Sequence, residues 1–212
     1  MTRPVLYDYY RSSACYRVRI ALNLKRVAYD AVAVNLLEGA HQSEAYRARN
    51  PQGLVPMLEA GELRLAQSIP IIAWLEAAFP EPRLLPADPA DAAYVRALAL
   101  TIACDIHPLN NVRVLRRLKA LGVEEAERDQ WYRHWIAEGF AALEAMAAPR
   151  SGRFLFGDSP TLADVCLVPQ MYNARRFETP LDGFPTLVRV DAEASALDAF
   201  AAAHPDAIGP PA

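Results

Sequence analysis

The chain has 212 residues, 53% of them hydrophobic, with 22 Lys and Arg against 25 Asp and Glu for a formal charge of −3. That is enough for one or two compact domains with a substantial core. Balanced charge argues against a nucleic-acid partner, and the lack of any apolar run near the roughly 20 residues of a membrane span argues against a membrane one.

The N-terminus also lacks the charged-then-apolar layout of a signal peptide, so a cytoplasmic location is expected. Cys15, Cys104 and Cys166 are widely spaced with no CxxC pair, which speaks against a disulfide framework. His41, His107, His134 and His204 form no close pair at ligand spacing, so no metal is expected.

Val5–Tyr9 is a short β-prone run. Val18, Ile20, Ala21, Leu22 and Leu24 then form an apolar stripe of helical period, so a strand feeds a helix over Cys15–Lys25 through Arg11–Ala14. Unpaired N–H groups in that helix's first turn carry partial positive charge and stabilise a phosphate, carboxylate or thiolate placed above them. Ser12 or Ser13 either adds a hydroxyl hydrogen bond to such an anion or simply caps the helix.

Tyr29–Val34 reads as a strand, Ser43–Arg49 as a short helix, and Pro56–Glu59 with Leu63–Ala66 as a hairpin around Ala60-Gly61-Glu62. Ser68–Phe79 reads as an amphipathic helix with Ile69, Ile72 and Leu75 on one side. The order β-α-β-α-β-β-α predicts a thioredoxin-like α/β domain over residues 1–80.

Pro80, Pro82, Pro86 and Pro89 mark residues 81–89 as a linker. Residues 90–212 then read as an all-helical domain. Val95, Leu98, Ala99 and Ile102 make one stripe; Trp131, Trp135, Ala142 and Met146 a second; Leu162, Val165, Cys166 and Val168 a third. Both tryptophans read as core residues. Thr161-Leu162-Ala163-Asp164, after Pro160, fits a capping box that starts a buried helix.

Asn50-Pro51-Gln52-Gly53-Leu54-Val55-Pro56 sits directly before a strand. Pro56 is either part of an ordinary trans loop or follows a cis peptide that turns the Val55 backbone outward to pair with an extended peptide. Gln67-Ser68 with Pro70 reads as an N-cap and a helix start, suited to an α-carboxylate with Gln67 in reach of the adjacent ammonium. A thiolate site, a peptide-pairing edge and an amino-acid site fit one ligand. Between Asp105 and Glu124 there is no acid, while Arg113, Arg116, Arg117 and Lys119 are present. Arg113, beside Asn110-Asn111, is placed to hold a carboxylate bidentately.

Arg11-Ser12-Ser13, Arg17-Val18-Arg19-Ile20-Ala21-Leu22, the Asn50–Pro56 run, Gln67-Ser68, Leu84-Leu85-Pro86, Gly157-Asp158 with Thr161–Asp164, and Leu167-Val168-Pro169-Gln170 recur in order in one known family. On these motifs the whole chain resembles the glutathione transferases, and the zeta class in particular. It departs from that class at Ser13-Ala14-Cys15, where the class carries Ser-Ser-Cys.

The resemblance implies a thioredoxin-like domain followed by a helical substrate domain, a homodimer, and reduced glutathione as cofactor. Glutathione contacts fall to Ser13, Val55, Pro56, Gln67, Ser68, His107 and Asn111. Ser13, then Ser12, stabilise the thiolate, and Cys15 either faces the same site or packs as a small apolar residue. Arg11, Arg113, Arg176 and Arg175 are the contacts implied for substrate carboxylates. The implied activity is the glutathione-dependent cis–trans isomerisation of maleylacetoacetate to fumarylacetoacetate in aromatic amino-acid breakdown. In it a thiolate adds to the double bond, the resulting single bond rotates and the thiolate leaves. Maleylpyruvate isomerisation is the close rival, and glutathione transfer onto α-haloacids a further alternative. A non-catalytic glutathione-binding module is disfavoured, since Ser12, Ser13, Gln67 and Ser68 are all kept.

Overall fold

The computed structural model describes residues 3–210. The chain forms two compact units, one running through Arg83 and completed by the segment from Leu197 onward, the other spanning Leu84–Ala196.

In the first unit, β1 (Val5–Asp8) pairs in parallel with β2 (Asp30–Ala33) and antiparallel with β3 (Met57–Ala60), which pairs in turn with β4 (Leu63–Ala66). The sheet order is β2-β1-β3-β4, with β2 an exposed edge. The β3–β4 hairpin turns on Gly61 at φ 62°, a left-handed conformation that glycine adopts without the Cβ clash. α1 (Ser13–Leu24), α2 (Glu44–Arg47) and α3 (Ser68–Ala78) complete the predicted thioredoxin-like order, with a 3₁₀ turn at Ala40–Gln42. α1 packs on α3, and the core gathers Leu6 and Leu58 from the sheet, Val18 and Leu22 from α1, and Ile71, Ile72 and Leu75 from α3. Ile71 thus takes the central place expected of Ile69, which lies at the rim of that face.

Charged side chains are sealed into this unit. Arg19 meets Asp8 at 2.7 Å, and Lys25 meets Glu76 at 2.5 Å. α9 (Asp198–Ala201) and α10 (Pro205–Ile208) follow Leu197, and α9 packs on α1. Asn23 Nδ2 donates to the Ala199 carbonyl and Arg19 Nε to that of Ala203. Contacts therefore group these last helices with the sheet rather than with the helical residues that precede them, a grouping unlike the division at residue 90.

The second unit holds α4 (Pro89–Leu100), a π-helical segment (Thr101–Ile106), α5 (Val112–Ala120), α6 (Glu125–Ala147), α7 (Leu162–Arg176) and α8 (Pro185–Ser195). α7 is buried on nearly every side and packs against α4 and α8. It starts at the expected capping box, with the Asp164 carboxylate accepting from the Thr161 N–H and hydroxyl and from the Leu155 N–H. Gly139 lets the π-helical segment lie against α6, because a Cβ there would sit 2.3 Å from Ile106 Cγ1.

The buried face of α6 is Tyr132, Ile136, Phe140, Leu143 and Ala147, which corrects the stripe read from the sequence. Trp131 and Trp135 are only half-buried, and Ala142 is exposed. Trp131 donates its indole N–H to the Leu109 carbonyl, as an aromatic with a polar edge does at the rim of a core. No helix among the described residues is long and apolar enough to cross a membrane.

Candidate active site

Strand register brings three predicted features to one end of the sheet. Met57, just after Pro56, lies opposite both Tyr7, near the end of β1, and Ala66, the last residue of β4. The loop into α1, the cis-proline loop and the start of α3 all leave from that end. Two side-chain bonds tie them together. Arg17, one turn past Ser13 on α1, donates to Ser68 Oγ at 3.5 Å, and Gln67 Nε2 donates to Gln52 Oε1 at 2.8 Å.

The loop into α1 closes with the Ser12 N–H on the Tyr9 carbonyl at 2.8 Å. Ser12 caps the helix, its Oγ accepting the Cys15 N–H at 3.3 Å. Ser13 is the first helical residue and is mostly buried. No acid sits in the first turn, so no carboxylate of α1 itself offsets the positive end of the helix dipole there. Cys15 has no exposed surface. Burial pushes its thiol well above the ordinary value, and Asp8 adds to this against weaker lowering by Arg19 and by hydrogen bonds from Ser12 and Tyr9. A neutral, enclosed thiol packs. Of the two roles open to Cys15, the geometry matches packing and not activation.

The Val55–Pro56 peptide is cis. Its loop is pinned from below: the Leu54 carbonyl accepts from Tyr46 Oη and Asn50 Nδ2, both at 2.7 Å, and the Gly53 carbonyl accepts from Gln42 Nε2 at 3.2 Å. Gln67 holds the cap position of α3 but makes no side-chain cap, because its amide is turned to Gln52 and its backbone sits at φ 73°. Gln67 and Pro70 thus stand at the expected N-cap and first-turn positions, but α3 starts without a bond from the Gln67 side chain. Gln52, which orients Gln67, had no signal in the sequence beyond its place in the loop.

In the helical unit, Asn111 caps α5 through an Arg113 N–H at 3.1 Å, and His107 is half-buried just after the π-helical segment. Arg113 is exposed on α5. Arg176 lies 4.9 Å above the Phe177 ring, which stacks on Tyr132. Arg175 instead reaches the buried Asp191 carboxylate at 2.6 Å, so its guanidinium is committed to α8 rather than held for a ligand. Arg11 is exposed, in the first unit, and lies 5.1 Å from the centre of the Tyr10 ring.

A thioredoxin-like unit with a cis-proline loop beside two helix starts, in a chain whose other unit is all-helical, defines the glutathione transferase class. Residues 6–83 match the family model "Glutathione S-transferase, N-terminal domain" and residues 125–205 "Glutathione S-transferase, C-terminal domain". The chain belongs to the glutathione S-transferase family. It is 51% identical to the maleylacetoacetate isomerase of Rhizobium meliloti, over 97% of this chain and 98% of that one. A holo maleylpyruvate isomerase, described as a bacterial zeta-class enzyme, superposes with a TM-score of 0.94 at 50% identity over 96% of this chain and 97% of its own. The maleylacetoacetate isomerase of Anaeromyxobacter dehalogenans, solved with glutathione in its active site, superposes at 0.88 with 46% identity over 97% and 96%.

Proposed function

We propose that the protein is a glutathione-dependent cis–trans isomerase of maleyl diacids, with maleylacetoacetate as its substrate and fumarylacetoacetate as its product. The observation that carries this reading is the meeting, at one sheet end, of an acid-free helix start bearing Ser12 and Ser13, a cis-proline backbone edge and an α3 start left free of a Gln67 cap. These features fit the three parts of glutathione.

Ser13 and Ser12 would meet its sulfur, the Val55 and Pro56 backbone its peptide, and Gln67 and Ser68 its amino-acid head. His107 and Asn111 are the contacts proposed from the helical unit. Bound glutathione would supply a thiolate that adds beside a maleyl carboxylate and leaves once the new single bond has rotated. The chain's share is electrostatic. The α1 N-terminus and a hydroxyl favour the ionised sulfur, whose free thiol titrates near 8.5. Arg11, Arg113 and Arg176 orient the two carboxylates, and backbone N–H groups or a nearby cation hold the charge pushed onto the substrate's carbonyl oxygen. Arg175 drops out of that set because Asp191 occupies it.

Maleylpyruvate is the second reading, favoured by the His107–Asn111 segment with Arg113 and by the likeness to a protein of that activity. Parallel measurements of kcat/KM on both maleyl substrates decide between them. Turnover of neither with glutathione present overturns the isomerase reading, and thioether accumulation from an α-haloacid makes the protein a transferase instead. The same reading includes residues 1–80 as the glutathione-binding half, residues 90–212 as the substrate half, and a cytoplasmic homodimer. No disulfide joins Cys15, Cys104 or Cys166 among the described residues, which suits a reducing compartment. Sedimentation measures the mass.

A further inference from the structure

We propose that Arg19 and Asp8, buried behind the loop that precedes α1, are positioning residues for the thiolate site and couple it to the C-terminal segment. This rests on the isomerase reading, but its geometric half stands on the protein alone.

Arg19 lies on α1 with its guanidinium fully enclosed and its donors directed three ways. Nη1 meets both Asp8 oxygens, at 2.7 and 2.9 Å, Nη2 donates to the Tyr10 carbonyl at 2.9 Å, and Nε donates to the Ala203 carbonyl at 3.0 Å. The Tyr16 ring lies against the same group at 5.4 Å. Asp8 is the last residue of β1, and Tyr10 directly precedes Arg11-Ser12-Ser13. The Tyr9 carbonyl is held by the Ser12 N–H, so the carbonyls of two successive residues are fixed just before the serines. Their peptide planes decide where α1 begins and where Ser12 and Ser13 place their hydroxyls. One guanidinium therefore sets the aim of the loop, and Ala203 holds that guanidinium from the far side.

The pair also sets the local field. Together the two charges nearly cancel, but either one alone would be a buried ion close to the helix start. The side chains that feel both are Cys15 on α1 and Tyr29 ahead of β2, and burial keeps each of them neutral by raising its pKa. Removing Asp8's charge leaves a cation that favours an anion at the loop. Removing Arg19's leaves an anion that opposes one. A merely structural pair would lower stability in both variants without moving an ionisation in opposite directions.

The test uses D8N, R19Q and R19K in the full chain. First, calorimetry with reduced glutathione on the unaltered protein judges the isomerase reading: absence of binding overturns that reading while leaving the loop measurement intact. Second, hydrogen exchange of the amides of residues 10–14, without glutathione, should run about tenfold faster or more in R19Q and R19K. Third, ultraviolet titration of the protein-bound glutathione thiolate should shift down in D8N and up in R19Q, each by about half a unit or more, with R19K close to the unaltered protein. If R19Q does not fold, R19K carries the exchange measurement and D8N, set against R19K, carries the ionisation one. Unchanged exchange in the loop overturns the positioning role, and a bound thiolate that D8N does not shift down, or that a folded R19Q does not shift up, overturns the electrostatic one.

Discussion

Glu144 caps a helix to which it does not belong. From α6 its two carboxylate oxygens accept the N–H groups of Thr186 at 2.9 Å and Leu187 at 3.0 Å, in the first turn of α8. α8 has no side-chain cap of its own, since Phe184 stands at the cap position and Pro185 brings no N–H. Glu144→Ala should therefore cost about 1–2 kcal/mol, as a lost cap with a charged acceptor does. Urea unfolding measures it, and Glu144→Gln should retain part of the loss.

Gly139→Ala should cost about 1–3 kcal/mol through overpacking, because the added methyl meets Ile106 at 2.3 Å. Trimming the opposing side chain in Ile106→Ala should relieve the clash, so the double variant should be more stable than the sum of the singles implies. Additive losses would show that the π-helical segment moves aside instead.

The two neighbouring arginines should separate. Arg175→Ala removes the 2.6 Å ion pair to the buried Asp191 carboxylate and should lower stability by about 1–3 kcal/mol. Arg176→Ala, on an exposed residue, should change stability by less than about 0.5 kcal/mol and instead raise KM for the dicarboxylate about tenfold. Thermal melts alongside kinetics tell them apart.

Asp164 should leave a mark on the pH dependence of stability. Burial raises its carboxyl from 3.8 to about 6, against the lowering effect of hydrogen bonds from Leu155 and Thr161. The folded state thus holds the proton to higher pH than the unfolded one, and the associated stability is fully present below about 3.8 and lost as pH rises through about 6. Asp164→Asn should be less stable overall, by about 1–3 kcal/mol, because an amide N–H₂ replaces one acceptor among three donors. The stability difference between variant and parent should narrow as pH rises from 4 to 6. Denaturant unfolding across that range checks the sign.

Ser13→Ala should reduce kcat/KM about a hundredfold, the usual cost of one donor to a reacting anion. Cys15→Ala should leave it within about threefold and lower stability by roughly 1 kcal/mol, as loss of a small buried group does. A steady-state assay and a melt on each variant measure both.

Much of this was legible in the sequence because local and global signals agree there. The β-α-β-α-β-β-α order and the capping box at Thr161 and Asp164 each rest on residue types with few alternative uses, whereas the sequence left the peptide before Pro56 open between cis and trans. The face of α6 was misread because Trp131 and Trp135 outweigh the residues beside them in any apolar count. Side-chain area cannot tell a rim from an interior. The direction of the Gln67 side chain was not legible because its partner Gln52 lies 15 residues away, across a turn that periodicity does not see. Arg19 stood in plain view inside an apolar helical face, a buried-charge signal that points to a partner without saying which one.

Ala203 and Ala199 belong to the sheet's unit yet are made only after the whole helical unit has been translated. At ribosomal rates the interval between finishing α3 and finishing α10 is on the order of ten seconds. During that time the guanidinium of Arg19 lacks its Ala203 acceptor. Asp8 and the Tyr10 carbonyl are already at hand, so the loop before α1, although made among the first residues, gains its Ala203 tie only when synthesis is nearly over.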